Sequence, residues 1–121
     1  MDKSFFPDGK RVALATGWDD GRVWDRRLAE ELADFGWKGT FFLCPEHIGH
    51  SNYIGVAEIV EIDRLGHEIG SHSLNHPYLD KLSPEDRRRQ AVESRHQLEA
   101  MVGNGANKDG LDDPCCRDRS G

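Results

Sequence analysis

The chain changes hydrophobic period several times along its length. Residues 11–18, Arg-Val-Ala-Leu-Ala-Thr-Gly-Trp, form a short, mostly apolar run, which predicts a buried strand. A turn signal at Pro7-Asp8-Gly9 precedes it, and Asp19-Asp20-Gly21 ends it, with Gly21 permitting a sharp turn. From about Val23 to Phe35, Trp24, Leu28, Leu32 and Phe35 recur at helical spacing with charged residues between them. This predicts a helix that buries those four and stops at Gly36. Residues 39–44, Gly-Thr-Phe-Phe-Leu-Cys, are rich in β-formers and predict a second strand, ended by Pro45. After a loop over residues 45–54, a second helix is expected from about Val56 to Leu65, buried through Val56, Ile59, Val60 and Leu65 and closed by Gly66. His67-Glu68-Ile69-Gly70-Ser71 is a third strand by its place in the alternation. Ser83-Pro84-Glu85-Asp86 is a helix start, with Ser83 as cap, Pro84 at the first helical position and Asp86 placed to reach back. That helix should run to about Val102, burying Ala91, Val92, Leu98, Met101 and Val102. Residues 103–121 show no apolar periodicity and predict an irregular tail. The expected division is therefore a folded part, 1–102, and a tail, 103–121.

The order β-α-β-α-β-α implies right-handed crossovers and a parallel sheet of about three βα units. In such a sheet all strands end on one rim, where active sites collect. Asp19 and Asp20 follow the first strand, and His72 and His76 follow the third. The topology brings both polar clusters to the same rim.

Composition narrows the function. The 121 residues suffice for one small domain, and 36% apolar with 31% charged content is polar but not disordered in character. A net charge of −6 argues against nucleic acid or an anionic membrane as the main partner. No apolar run approaches the roughly 20 residues of a membrane span. The start lacks the apolar segment of a secretory signal, so a cytoplasmic setting is the default expectation, with export by another route left open. The three cysteines, Cys44 and the adjacent Cys115 and Cys116, do not form a disulfide framework. Cys44 reads as a small buried hydrophobe.

The candidate chemistry lies in His72-Ser73-Leu74-Asn75-His76 and Trp18-Asp19-Asp20-Gly21. Two imidazoles four residues apart can meet one metal ion across a helical turn or a tight loop. With one or two carboxylate oxygens they make a site that keeps room for water, as hydrolytic metals are held. Each cluster also has a plain reading. Most His-x-x-x-His pairs are surface polar residues, and an aspartate at a helix start is often a cap. His47 and His50, in the loop on the same rim, read as solvated loop residues or as metal or substrate contacts.

Trp18-Asp19-Asp20-Gly21, Gly39-Thr40-Phe41-Phe42 and Gly66-His67-Glu68-Ile69-Gly70-Ser71-His72-Ser73-Leu74-Asn75-His76 resemble, in order and spacing, the N-terminal half of the polysaccharide deacetylase family. This is the NodB-homology or carbohydrate esterase 4 family, and the resemblance covers about residues 11–102. It implies an α/β fold, a parallel-stranded partial (β/α) barrel of the NodB type. It also implies metal-dependent hydrolysis of N-acetyl or O-acetyl groups on an acetylated carbohydrate. Asp19 matches the family's catalytic base, and Asp20, His72 and His76 match its metal ligands. The implied metal is divalent, zinc first, with cobalt, manganese or iron in some members. Gly17-Trp18 stands where many members have Thr-Phe, and neither residue supplies a ligand. The family's later motifs, an Arg/Pro-rich aromatic segment and a Leu-x-His segment carrying the general acid, have no match, and His96 is no obvious replacement. The expectation is a truncated or frame-shifted member with impaired activity. The alternatives are a non-catalytic metal-binding fragment that needs a partner, and a 2-His-1-carboxylate iron oxygenase, whose ligand set is the same.

Overall fold

A computed structural model describes residues 5–105, and in them strands and helices alternate as the periodicity implies. The elements are β1 (Gly17–Asp19), α1 (Asp25–Asp34), β2 (Thr40–Leu43), α2 (Val56–Arg64), β3 (Glu68–Ser71) and α3 (Pro84–Gly105). The sheet order is β1-β2-β3 and both pairings are parallel, so the α/β class with three parallel βα units is the architecture formed. No described helix is long and apolar enough to cross a membrane.

The two faces of the sheet differ in covering. Phe41 and Leu43 point to one face and are fully buried, in a core with Ala29, Leu32, Ile54, Ile59, Ile62 and Leu98 from all three helices and a loop. Burial of each large apolar side chain stabilises by about 1.5–3 kcal/mol. Ser71 of β3 is hydrogen-bonded to Ser94 of α3, which ties the last helix to this same face. Asp19, Phe42 and Gly70 are paired across the sheet and point the other way. There the Phe42 ring lies over glycines: a Cβ on Gly70 would fall 2.7 Å from it and one on Gly17 3.2 Å. The flat glycine backbone leaves the ring room beside Asp19.

Several details of the sequence reading need correction. The first strand is only Gly17–Asp19, not residues 11–18, and Val12 and Leu14 are 82% and 69% exposed. A strand needs a partner, and β2 begins only at Thr40, whose N–H reaches no further back than the Thr16 carbonyl. Helix α1 is rotated about one residue from its expected facing. It buries Asp25, Ala29 and Leu32, while Trp24 and Phe35 stand 74% and 78% exposed. In α2 the buried pair is Ile59 and Ile62, with Val56 exposed.

In α3, Leu98 is buried and Met101 and Val102 are half-buried as expected, but Ala91 and Val92 face solvent and Gln90 and Ser94 are buried instead. Both polar side chains are hydrogen-bonded, which removes most of the cost of burying them. Ser83 does cap this helix, its Oγ accepting from the Asp86 N–H at 3.1 Å. The helix continues to Gly105, so positions 103–105 are helical rather than irregular. The rest of the expected tail, with Cys115 and Cys116, lies outside the described residues.

Candidate metal centre

The site is built where β1 and β3 end. After Asp19 the chain turns sharply: Asp20 has φ 81° and Gly21 φ 70°. Gly21 is required twice over, because a Cβ there would also meet the Leu43 side chain at 2.9 Å. The loop after β2 clamps this turn. Ile54 N–H donates to the Gly21 carbonyl at 2.9 Å, Val23 N–H to Asn52 at 3.1 Å, and the Arg22 guanidinium lies 4.6 Å over the Tyr53 ring.

After β3, His72 N–H donates to the Leu43 carbonyl at 2.9 Å, extending the ladder by one residue. The chain then forms a tight loop rather than a helical turn, with Ser73 at φ 66° and His76 at φ 61°. Ser73 Oγ accepts from His76 N–H at 3.0 Å, which offsets part of the strain of a positive φ at residues other than glycine. Leu74, 1% exposed, plugs the loop into the core. A polar chain that starts on the buried Gln90 and runs out to the surface holds its backbone: Gln90 Oε1 accepts from Leu74 N–H at 2.8 Å and Gln90 Nε2 donates to Asn75 Oδ1 at 3.1 Å. Asn75 Nδ2 in turn donates to Glu46 Oε2 at 2.7 Å, and Glu46 N–H closes the ring on the Leu74 carbonyl at 3.1 Å. Beneath, the fully buried Cys44 thiol donates to the His72 carbonyl at 3.0 Å. Burial pushes that thiol up in pKa, which favours its protonated, donating form, and it is not among the grouped metal-ligating side chains.

These supports bring Asp20, His72 and His76 together. His72 Nε2 lies 3.3 Å and His76 Nε2 3.6 Å from Asp20 Oδ1, and one ligand atom from each residue falls within 4.8 Å of the others. Ligand bonds of about 2.0–2.2 Å place tetrahedral donors about 3.3–3.6 Å apart. The two separations from Asp20 fit such an ion, and the donor set of one carboxylate and two imidazoles leaves a position open. Asp19 sits beside this group at the end of β1, on the face away from the helices. His47 and His50 do not join it: the metal-ligating group among the described residues is Asp20, His72 and His76, and the His47 ring packs on Tyr53 at 4.8 Å.

Sequence reasoning missed Asp25 and Gln90. Asp25 opens α1 and is 7% exposed, and burial, then Asp20, then Asp19 push its carboxyl up from 3.8 to about 6. Its signal was the spacing 25, 29, 32, one helical face that begins on an acid. A hollow also opens elsewhere, at the N-terminal ends of the strands around Thr16, Lys38, Gly39 and His67. It gathers no comparable donor set, whereas the metal-ligating group lies open on the opposite rim.

A sequence profile of the polysaccharide deacetylase family matches residues 7–108. The peptidoglycan-N-acetylglucosamine deacetylase of Bacillus cereus is 27% identical over 95 residues, which are 77% of this chain and 33% of that protein. Among solved structures, a family 4 acetyl xylan esterase from Clostridium thermocellum, determined with a cobalt ion, superimposes with a TM-score of 0.63 at 25% identity, over 78% of this chain and 46% of that one. A Streptococcus pyogenes deacetylase, PplD, bound to acetate, shares the fold with a TM-score of 0.69 at 18% identity, covering 74% of this chain and 41% of that one. The chain thus spans about a third of the length of the curated relative and under half of either structure.

Proposed function

This chain belongs to the polysaccharide deacetylase family, and on that premise we propose that it carries the metal-binding half of an active site that hydrolyses acetyl groups on a carbohydrate. The observation that carries the reading is the convergence of His72 and His76 on Asp20 Oδ1, at 3.3 and 3.6 Å, with Asp19 next to it in the chain. Asp20, His72 and His76 would hold a divalent cation, zinc in the first instance. When bound, that ion supplies Lewis-acid chemistry, making water acidic and polarising an acetyl carbonyl. Asp19 is the base that takes the proton of the attacking water. Among the described residues no helix covers its face of the sheet, and substrate would approach there. The substrate class is an N-acetylated or O-acetylated polysaccharide, a choice supported by the peptidoglycan and xylan enzymes it resembles.

The same three donors would also suit an iron oxygenase, but the parallel βα order and the family match favour the hydrolase. Acetate release is therefore measured with zinc, alongside oxygen uptake with iron and a 2-oxo acid. Asp19→Asn should leave zinc affinity nearly unchanged and lower acetate release by about 10²–10⁴-fold, the range for a positioned base. Zinc binding without any acetate release would support the alternative of a metal-binding, non-catalytic unit. Oxygen uptake, or no metal binding, would overturn the reading.

A further inference from the structure

Among the described residues Asp25 is the one buried carboxylate, 7% exposed, and its Oδ2 has no hydrogen-bond partner. A buried carboxylate with one oxygen left without a donor is expensive to ionise unless something neutralises it. No neighbouring cation is placed to do so. Arg26 and Arg27 pair with Glu30 and Glu31 at 3.1 and 2.9 Å, and Arg22 lies over Tyr53. What does act on Asp25 is further negative charge, from Asp20 and Asp19. The sequence explains the proximity: only the short turn through Gly21 separates Asp20 from the start of α1, and the helix faces inward through residues 25, 29 and 32. The rotation of α1 turns Trp24 out to solvent and Asp25 in.

We propose that Asp25, a buried carboxylate at the start of α1 five residues beyond Asp20, strengthens through its charge the hold of the metal centre on a divalent cation. The inference rests on the metal-binding reading of Asp20, His72 and His76. Two neutral imidazoles and one aspartate leave a divalent ion only half neutralised, and Asp19 is reserved for proton transfer. Asp25 supplies the missing charge from inside the core without occupying a coordination position, so the open position stays free for reaction. The ion in turn offsets the cost of keeping Asp25 ionised. Side chains that support metal ligands from outside commonly contribute about 10–100-fold in affinity.

The arrangement makes an unusual demand on one substitution. Asp25→Asn keeps shape but removes the charge, so it should raise the melting temperature of the metal-free chain at pH 7.5 while weakening its zinc affinity by about 10–100-fold. Asp25→Ser, which removes the charge with a smaller side chain, should weaken zinc binding to the same degree and guards against an effect of the amide alone. Zinc affinity is read by competition with a chromophoric chelator on the 121-residue chain, and stability by melting in EDTA. Opposite movement of the two quantities supports the proposal, because a merely structural residue would lose stability on replacement. Wild-type zinc affinity in both variants would overturn it while leaving the metal site standing. Absence of zinc binding in the wild-type chain would overturn the metal-binding reading and this inference together.

Discussion

His67 and His72 flank the same short strand, β3, and are treated in opposite ways. His67 enters the strand from the N-terminal rim and is 3% exposed. Its Nδ1 accepts from Gly39 N–H at 3.1 Å and its Nε2 meets the Ala29 carbonyl at 2.8 Å, so the ring is neutral with its proton on Nε2. Phe41 packs against it edge to face at 5.3 Å. Every valence of His67 is spent on the fold. His72 leaves the strand at the C-terminal rim, half-buried, and turns its Nε2 toward Asp20 together with His76. At one rim the polar atoms are paired off with backbone; at the other they converge on a common point. Burial alone does not mark a functional histidine, and neither does a neighbouring strand end. The mark is nitrogens turned toward one shared carboxylate, an arrangement that could hold a cation.

The sharpest way to break this contrast is at the convergent rim. Asp20→Asn tolerates the positive φ of that position yet withdraws the shared carboxylate. Zinc affinity should fall by more than the about 100-fold that outer partners cost, with the metal-free melting temperature unchanged or higher. Zinc titration with parallel melting decides it, and retained affinity would mean the three side chains meet for another reason. At the saturated rim, His67→Ala should do the reverse. It leaves a cavity and strands the Gly39 N–H and the Ala29 carbonyl, for a loss of about 3–5 kcal/mol in chemical denaturation. Whatever remains folded should bind zinc with wild-type affinity.

Acidity sharpens the contrast next. The carboxyl of Asp25 is raised from 3.8 to about 6, chiefly by burial and then by Asp20 and Asp19. The folded chain therefore holds that proton more tightly than the unfolded one. The associated stability is complete below pH 3.8, is lost as pH rises through about 6, and amounts to about 3 kcal/mol. Urea denaturation in EDTA from pH 4 to 7.5 should show the wild type losing stability relative to Asp25→Asn by about that amount, and parallel curves would refute it. The smallest expected effect is at Gln90. Gln90→Met keeps the volume but releases Leu74 N–H and Asn75. Zinc affinity should drop about 10-fold, with a stability loss of about 1–3 kcal/mol from the stranded amide. A loss of stability with no change in affinity would show that the polar chain supports the core and not the loop.

Much of this was legible in the sequence. The periodicity located the first two helices and the second strand within a residue or two, because each has its own turn signals and a dominant period; the third helix ran three residues past its expected end, and the third strand was found by its place in the alternation. The motif spacing put Asp19, Asp20, His72 and His76 on one rim. What the sequence concealed is facing. Leu28 and Leu32 of the apolar stripe do meet the core, but Trp24 and Phe35, at the same helical spacing and more hydrophobic than Asp25 and Ala29, stand outside it, so the stripe was offset from the buried face of α1. The same error recurs in α3, where Gln90 and Ser94 are buried because other polar groups meet them there. Such partners come from distant segments and leave no trace in a local pattern. The length of β1 was misjudged for a related reason: Val12 and Leu14 look like strand residues, but pairing belongs to two segments and not to one.

Asp20, Ser73 and His76 all hold positive φ without being glycine. At such positions glycine relaxes the backbone, and asparagine is tolerated better than most side chains. A lineage released from its chemistry would drift toward those residues here, gaining stability as it lost the site. In a set of descendants, the identity of these three positions is then a clock for disuse, readable from genomes alone. Aspartate at 20 and histidine at 76 mark lineages in which selection still opposes the easier backbone.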